Sequence, residues 1–332
     1  MKKIKLSGFI FIFCISTLVI ACKKHSPSPA TTPDVYITGS IGDIGVLWNS
    51  GTTTYLGDTA NPPSNASCLF VTGNDIYIGG AEVYGNARVA TYWKNGIATH
   101  LSSPTVNAFI SSLFVSGNDL YAVGAGYNVF AGTLSVLYWK NGVAAILDSS
   151  TDVNHVYDNI SSANSIYVSD TDVYIGGENS VGAYYSKNGV VTNINSSYCT
   201  AILVSNSDVY VVADEAVNNF SVASYWKNGT PVNLVASPSS NSDAEGIFIS
   251  GSDIYVSGSE NINGFDVATY WKNGVEKHIG NPSDNSYGNT IFVNGSDVYV
   301  AGSSNKSAIY WKNGAPILLS NQNSYANSIY IK

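Results

Sequence analysis

From residue 34 onward, apolar and polar side chains alternate in short runs broken by Gly, Asn and Ser. The stretch 290–319 is typical. Thr290-Ile-Phe-Val-Asn294 alternates, Gly295-Ser296 interrupts it, and Val298-Tyr-Val-Ala301 alternates again. After a polar stretch, Ala308-Ile-Tyr-Trp-Lys312 and Ala315-Pro-Ile-Leu-Leu319 flank Asn313-Gly314. A period of two places alternate side chains on one sheet face, so these runs predict four short strands. Asn-Gly supplies the positive φ that a two-residue type I′ hairpin requires, and Gly-Ser suits type II′. Pro316 offers no ladder N–H, so the fourth strand is expected at an outer edge. No window after residue 22 carries a convincing helical period.

The unit recurs. Tyr-Trp-Lys-Asn-Gly stands at 92–96, 138–142, 225–229, 270–274 and 310–314. Leu47-Trp-Asn-Ser-Gly51 and Tyr185-Ser-Lys-Asn-Gly189 are altered copies. The closing glycines, from Gly51 to Gly314, follow one another at 40–47 residues. A four-stranded meander of that period predicts a β-propeller. The chain enters with Val35-Tyr-Ile-Thr38, which matches the second strand of the unit, and leaves with Ser328-Ile-Tyr-Ile331, which matches the first. The reading is an all-β, seven-bladed propeller of four-stranded antiparallel blades, with both ends sharing one blade.

The N-terminus reads differently. Lys2, Lys3 and Lys5 precede an apolar stretch from Phe9 to Ile20, too short and wrongly flanked for a spanning helix. It ends Leu18-Val-Ile-Ala-Cys22, which resembles the bacterial lipoprotein signal. The resemblance implies a signal peptide over 1–21, cleavage before Cys22 and acylation of that residue. Residues 22–33 then form a lipidated Cys and a Pro/Ser/Thr tether, which such composition keeps extended. The propeller is expected over 34–332. The expected address is the bacterial cell envelope, as an outer-membrane lipoprotein facing the periplasm or the exterior, held to the membrane by lipid alone.

The chain is 45% hydrophobic and only 11% charged, ample for a core and consistent with an extracytoplasmic all-β protein. After loss of the three signal lysines, 12 basic and 23 acidic residues give a formal charge of −11. Arg88 is the sole arginine. Nucleic-acid binding needs clustered Lys and Arg, so that partner is excluded. Cys68 and Cys199 fall in blades that are not neighbours, too far apart for a disulfide, and read as small buried residues.

The repeated residues are assigned to the scaffold. Trp48, Trp93, Trp139, Trp226, Trp271 and Trp311 are read as wedges between blades rather than a stacking ring. Asp34, Asp75, Asp119, Asp172, Asp208, Asp253 and Asp297 each belong to a different blade and cannot converge on one ion, which would need 6–8 oxygens in the case of calcium. They are read as turn residues that accept local backbone N–H bonds.

The connections between second and third strands, and between blades, are expected to be long and variable and to share the opposite rim. Binding residues concentrate on such loops. The expected ligand-binding residues there are Tyr84, Arg88, Tyr127, Phe130, Tyr157, Phe220, Phe265, Tyr287 and Tyr325, with Tyr198 nearby. The carboxylates Glu82, Asp152, Asp158, Asp214, Glu215, Asp243 and Glu260 fall on the same rim.

The unit Gly246–Gly258 followed by Ala268–Gly280 resembles bacterial extracellular propeller repeats. Leu47-Trp-Asn-Ser-Gly-Thr-Thr-Thr-Tyr-Leu-Gly57 looks like the HAF-type repeat, and Ile78-Gly-Gly80 and Ile175-Gly-Gly177 are similar to the double glycine of kelch repeats. These families imply a propeller, often with an interaction role, and no single activity. Propeller sialidases use an arginine triad, which one arginine cannot supply. No nucleophile elbow is present. His25, His100, His155 and His278 are scattered without metal spacing. No catalytic residue, cofactor or metal is expected. The reading is a lipid-anchored extracytoplasmic binding module for an unknown glycan, peptide or protein. A glycan-active enzyme with a carboxylate pair on the variable rim, or a structural envelope component, are the alternatives.

Overall fold

Among the described residues, alternating runs become strands, and the Asn-Gly and Gly-Ser type breaks become two-residue turns. The computed structural model describes residues 33–57, 64–128, 133–150, 162–179, 181–235, 239–321 and 323–332. Twenty-eight strands form seven four-stranded antiparallel sheets, each a meander of sequence neighbours except one. In that one, β28 (Ser324–Ile331) lies beside β1 (Val35–Ile41), followed by β2 (Ile44–Asn49) and β3 (Thr52–Tyr55). Val35 faces Ile331 and Ile37 faces Ile329, so the two ends of the repeat array complete blade 1. Blades 2 to 7 begin with β4 (Ser64–Thr72), β8 (Val106–Ser116), β12 (Ser162–Ser169), β16 (Cys199–Ser205), β20 (Ser242–Ser250) and β24 (Ser286–Asn294). These first strands and β28 contact one another around a closed ring, which makes them the innermost layer. The fold is a seven-bladed β-propeller.

The core lies between blades. Seven apolar clusters each join two neighbours. Six carry one repeat tryptophan, all at 2% exposure or less. The cluster between blades 3 and 4 has none. There Val123, Val136 and Ile166 fill the space, and Ser186 stands at the tryptophan position of blade 4, which in the other blades faces the preceding blade. Trp139 donates its indole N–H to the Leu101 carbonyl at 3.1 Å, whereas the buried indole N–H groups of Trp48, Trp93 and Trp271 have no partner among the described residues. Burying an indole is worth roughly 4–6 kcal/mol by area, against about 1–3 kcal/mol for the unsatisfied donor, so packing wins.

The turns follow the sequence. Asn95 and Gly96 have φ of 51° and 83°, as type I′ demands. Gly73, Gly117, Gly251 and Gly295 take φ near 60° at the first turn. Pro316 lies in the outermost strand of blade 7, β27 (Ala315–Ser320). Every inner strand has one bulge at the same level. At four of these bulges the extra side chain bonds the next blade. Asn164 donates to the Cys199 carbonyl at 2.8 Å, Thr200 to Ala244 at 3.0 Å, Asn289 to Ala326 at 2.9 Å and Asn327 to Ala66 at 2.9 Å. Glu245 holds the equivalent place in blade 6.

Cys68 and Cys199 are both free, Cys199 buried and Cys68 half-buried. Burial pushes the Cys68 thiol up to about 12 and the Cys199 thiol up as well.

Candidate functional site

One rim repeats. In blades 2 to 7 an Asp, Lys, Asn and Tyr meet beside the short turns. The Lys amino group lies 2.7–2.9 Å from the Asp carboxylate. The Asn side chain donates to the other Asp oxygen at 2.7–2.8 Å. Its own oxygen accepts the backbone N–H that follows the Asp, as Asn95 does from Ile76 at 2.9 Å. The Lys also sits 4.9–5.5 Å from a tyrosine ring centre. The expectation that these aspartates accept local backbone N–H bonds is corrected. The asparagine takes the backbone bond, and the aspartate holds the Asn and Lys side chains. Those hydrogen bonds hold the six carboxyls below their usual range, the lysine contributing most in five and the asparagine at Asp119. Asp34 departs from the set, with Ser50 donating to it at 3.4 Å.

The opposite rim carries the candidate residues, but its architecture differs from the expected long loops. In blades 1, 2, 5, 6 and 7 the second and third strands run on to two-residue turns. β5 (Asp75–Tyr84) and β6 (Ala87–Lys94) close at Gly85-Asn86. β17 (Asp208–Val217) and β18 (Phe220–Lys227) close at Asn218-Asn219. β21 (Asp253–Ile262) and β22 (Phe265–Lys272) close at Asn263-Gly264. In blade 7, β25 (Asp297–Ser304) and β26 (Ser307–Lys312) close at Asn305-Lys306, two residues lower. What varies is therefore how far each hairpin projects.

A second repeated device on this rim is a serine latch that the sequence reading missed. Ser64 accepts from Gly45 N–H, Ser102 from Ala90, Ser242 from Ala223, Ser286 from Ala268 and Ser324 from Ala308, all at 2.8–2.9 Å. Four of these bonds tie an inner strand to the preceding blade, and Ser102 makes the same bond from the connection before β8. Part of the rim thus has a folding reason for its sequence. The signal was a serine entering the first strand in several repeats.

Tyr84, Arg88, Phe265, Tyr287 and Tyr325 are exposed on the hairpin rim, and Tyr127 and Phe220 are half-buried. Phe130, Tyr157, Asp152, Asp158, His25, His155 and Cys22 lie outside the described residues. Among the described residues, no two rings of Tyr127, Phe220, Phe265, Tyr287 and Tyr325 touch. They are distributed one to a blade rather than gathered.

Three polar groups do assemble. First, a cavity of about 370 Å³ opens between blades 1 and 2, lined by Ser40, Asp43, Ser64, Asn65, Val83 and Arg88, among others. Among the described residues the Arg88 guanidinium has no acid within ion-pair distance. Its backbone is fixed, the N–H donating to Asn107 at 2.9 Å.

Second, Asp214, Asp243 and Glu245 crowd between blades 5 and 6. Asp214 accepts from Ala244 N–H at 2.8 Å and from the Tyr198 hydroxyl. Asp243 is within hydrogen-bonding reach of it. Burial pushes Asp214 up to about 6, although the bonds from Tyr198 and Ala244 hold it down. Burial, then the charges of Asp214 and Asp243, push Glu245 up to about 7. Asp243 is also raised, by burial first and Asp266 second. Tyr287 donates to Asp266 at 3.0 Å.

Third, two histidines pair with glutamates at equivalent places. His100 lies 2.8 Å from Glu82, with the Tyr84 hydroxyl 3.0 Å from the ring nitrogen. His278 lies 2.9 Å from Glu260.

No family profile matches the sequence, and no curated protein does. Among solved structures, the chain is similar to the computationally designed Ika8 protein, at 13% identity over 81% of this chain and 93% of that one, with a TM-score of 0.41. It is similar to a chain of a nidogen/laminin complex at 12% identity, over 79% of this chain and 97% of that one, with a TM-score of 0.43. A likeness to the tricorn protease, at 11% identity and a TM-score of 0.43, covers 88% of this chain and 26% of that one.

Proposed function

We propose that the protein is a binding module that holds an acidic ligand on its hairpin rim, with Arg88 as the anchor. The observation that carries this is a guanidinium with no acid partner among the described residues, lining a polar cavity between two blades. A pocket with a few convergent polar groups is the usual form of a ligand site. Arg presents a planar fork that fits a carboxylate bidentately. Arg88 is the sole guanidinium of the chain, so bidentate docking of a carboxylate has one place to occur. Ser40 and Asn65 offer hydroxyl and amide groups for the rest of a sugar or peptide. The ligand class is an acidic glycan or a carboxylate-bearing peptide.

The module acts outside the cytoplasm, tethered through lipid on Cys22. The repeat belongs with the HAF-like and kelch-like propellers. Asp214 and Asp243 invite a catalytic reading as a carboxylate pair. Both oxygens of Asp214 are already engaged, by Tyr198 and Ala244. Glycan-cleaving pairs stand roughly 5–9.5 Å apart, whereas these lie within hydrogen-bonding reach. That supports holding a ligand over cleaving one.

The test is a glycan and peptide array probed with the protein, followed by Arg88→Gln. The expected result is binding to carboxylate-bearing ligands that falls at least tenfold in the variant while the melting temperature holds. Binding indifferent to Arg88→Gln overturns the reading. Fatty-acid labelling of wild type but not Cys22→Ser is expected, and equal labelling overturns the anchor.

A further inference from the structure

The Glu–His pairs of blades 2 and 6 start from the same framework and end differently. Glu82 and Glu260 hold equivalent positions near the ends of β5 and β21. His100 and His278 both close the outermost strand, β7 (Ile97–His100) and β23 (Val275–His278). In blade 2 the pair is completed by a hydroxyl. Tyr84 Oη lies 3.0 Å from His100 Nε2 and 3.3 Å from Glu82 Oε2. In blade 6, Ile262 replaces that tyrosine, and a second carboxylate, Glu276, joins instead.

Glu276 is not a scaffold residue. It faces Trp271 across the outer strand pair. The same register position holds Thr53, Ala98, Ala144, Val191, Pro231 and Pro316 in the other six blades. Only blade 6 puts an acid there. Its neighbour Lys277 does not neutralise it. Successive residues of a strand point to opposite faces, and Lys277 reaches into blade 7, donating to the Asn313 carbonyl at 3.0 Å.

The structure assigns to Glu260, Glu276 and His278 a site for a divalent transition-metal ion, of which zinc suits the donors best. One ligand atom from each residue lies within 4.8 Å of the others. A tetrahedral zinc ion places its N and O ligands about 2.0–2.2 Å away, so small side-chain rotations close the shell. One imidazole and two carboxylates suit zinc, and borderline ions such as nickel and cobalt, better than calcium. Two carboxylates balance the charge of the ion. Three protein ligands leave a coordination position open to water or to a ligand donor. Glu260 is largely buried against the hairpin, while Glu276 and His278 are exposed, so the ion enters from the outer edge.

The test is titration of the full-length protein with zinc alone by calorimetry, and with cobalt by visible absorption. One site is expected, and Glu276→Ala and His278→Ala should each weaken it at least tenfold. His100→Ala in blade 2 should leave it unchanged. Melting curves without metal check that the variants fold, as they should with both residues at an outer edge. No binding by the wild type, or equal binding by wild type and Glu276→Ala, overturns the assignment. Loss on His100→Ala alone would place the ion in blade 2 and overturn it equally. Binding or its loss at the outer edge of blade 6 does not bear on the Arg88 cavity, which lies between blades 1 and 2.

Discussion

On the short-turn rim, an Asp, a Lys, an Asn and a Tyr meet in the same way in blades 2 to 7. On the hairpin rim only the serine latch recurs, and the charged groups differ from blade to blade. Blades 1 and 2 set an exposed arginine at a polar cavity, blades 5 and 6 crowd three carboxylates, and the outer edge of blade 6 gathers two glutamates and a histidine. Both rims grow from the same strands, so geometry alone does not make them differ. A side chain that recurs at one register answers a demand of the fold. A side chain that departs from its six equivalents, as Glu276 does, answers something else. Equivalence between blades thus substitutes for a comparison between proteins.

The severest test damages what both rims stand on. Trp226→Ala or Trp271→Ala should cost about 3–5 kcal/mol of stability in urea unfolding, as for large-to-small changes in a packed core. Ser186→Ala, at the tryptophan position of blade 4, should cost far less. Equal losses would mean the indoles are not the wedges.

Next comes the latch. Ser286→Ala leaves the Ala268 N–H buried without an acceptor and should cost about 1–3 kcal/mol. A neutral result would return the whole hairpin rim to function.

A smaller effect separates the rims by pH. Asp214 and Glu245 have raised carboxyls, at about 6 and about 7. A raised folded pKa gives stability that is complete below the unfolded value and lost as pH rises through the folded one. The six short-rim aspartates are lowered, so their stability is present above the unfolded value and lost as pH falls through the folded one. The melting temperature should therefore peak in mild acid, near pH 4–5, on the ordinary carboxylate values. Glu245→Gln should raise it at pH 8 and leave it unchanged at pH 4. An equal rise at both would place the effect outside titration.

The smallest expected change is on the short rim. Lys94→Met, Lys140→Met and Lys272→Met together remove three exposed ion pairs, which contribute little in water. Ligand binding should be unaltered. A loss of binding would exchange the roles of the two faces.

The fold was legible because its signals are local. Asn-Gly and Gly-Ser turns, one Trp per unit and a missing first strand at the start fix blade number and closure. Pro316 fixes the outer edge. The hairpin rim was less legible because Asn218-Asn219 and Asn305-Lys306 are weak turn signals, so strands that continue read as loops. The meeting of Asp214, Asp243 and Glu245 depends on a bulge and on packing between two blades, and no spacing in the sequence encodes either. Glu260 and His278 are eighteen residues apart and meet only because an outer strand ends where a hairpin rises. The described aromatic residues of the rim are spread over separate blades because each has one origin per repeat.

The pairing of β28 with β1 also sets an order of events. Every other blade is assembled from strands that are neighbours in sequence, and such local contacts form fast. Blade 1 waits for the last strand, about 290 residues along the chain. Bringing such ends together costs on the order of 5 kcal/mol in chain entropy, by the logarithmic law of loop closure. Non-local pairing of this kind slows the search. Until residues 324–331 arrive, Ile37 and Val46 face water on a blade without its inner strand, and the adjoining face of blade 7 is uncovered. β28 is the strand that turns an open arc of blades into a ring.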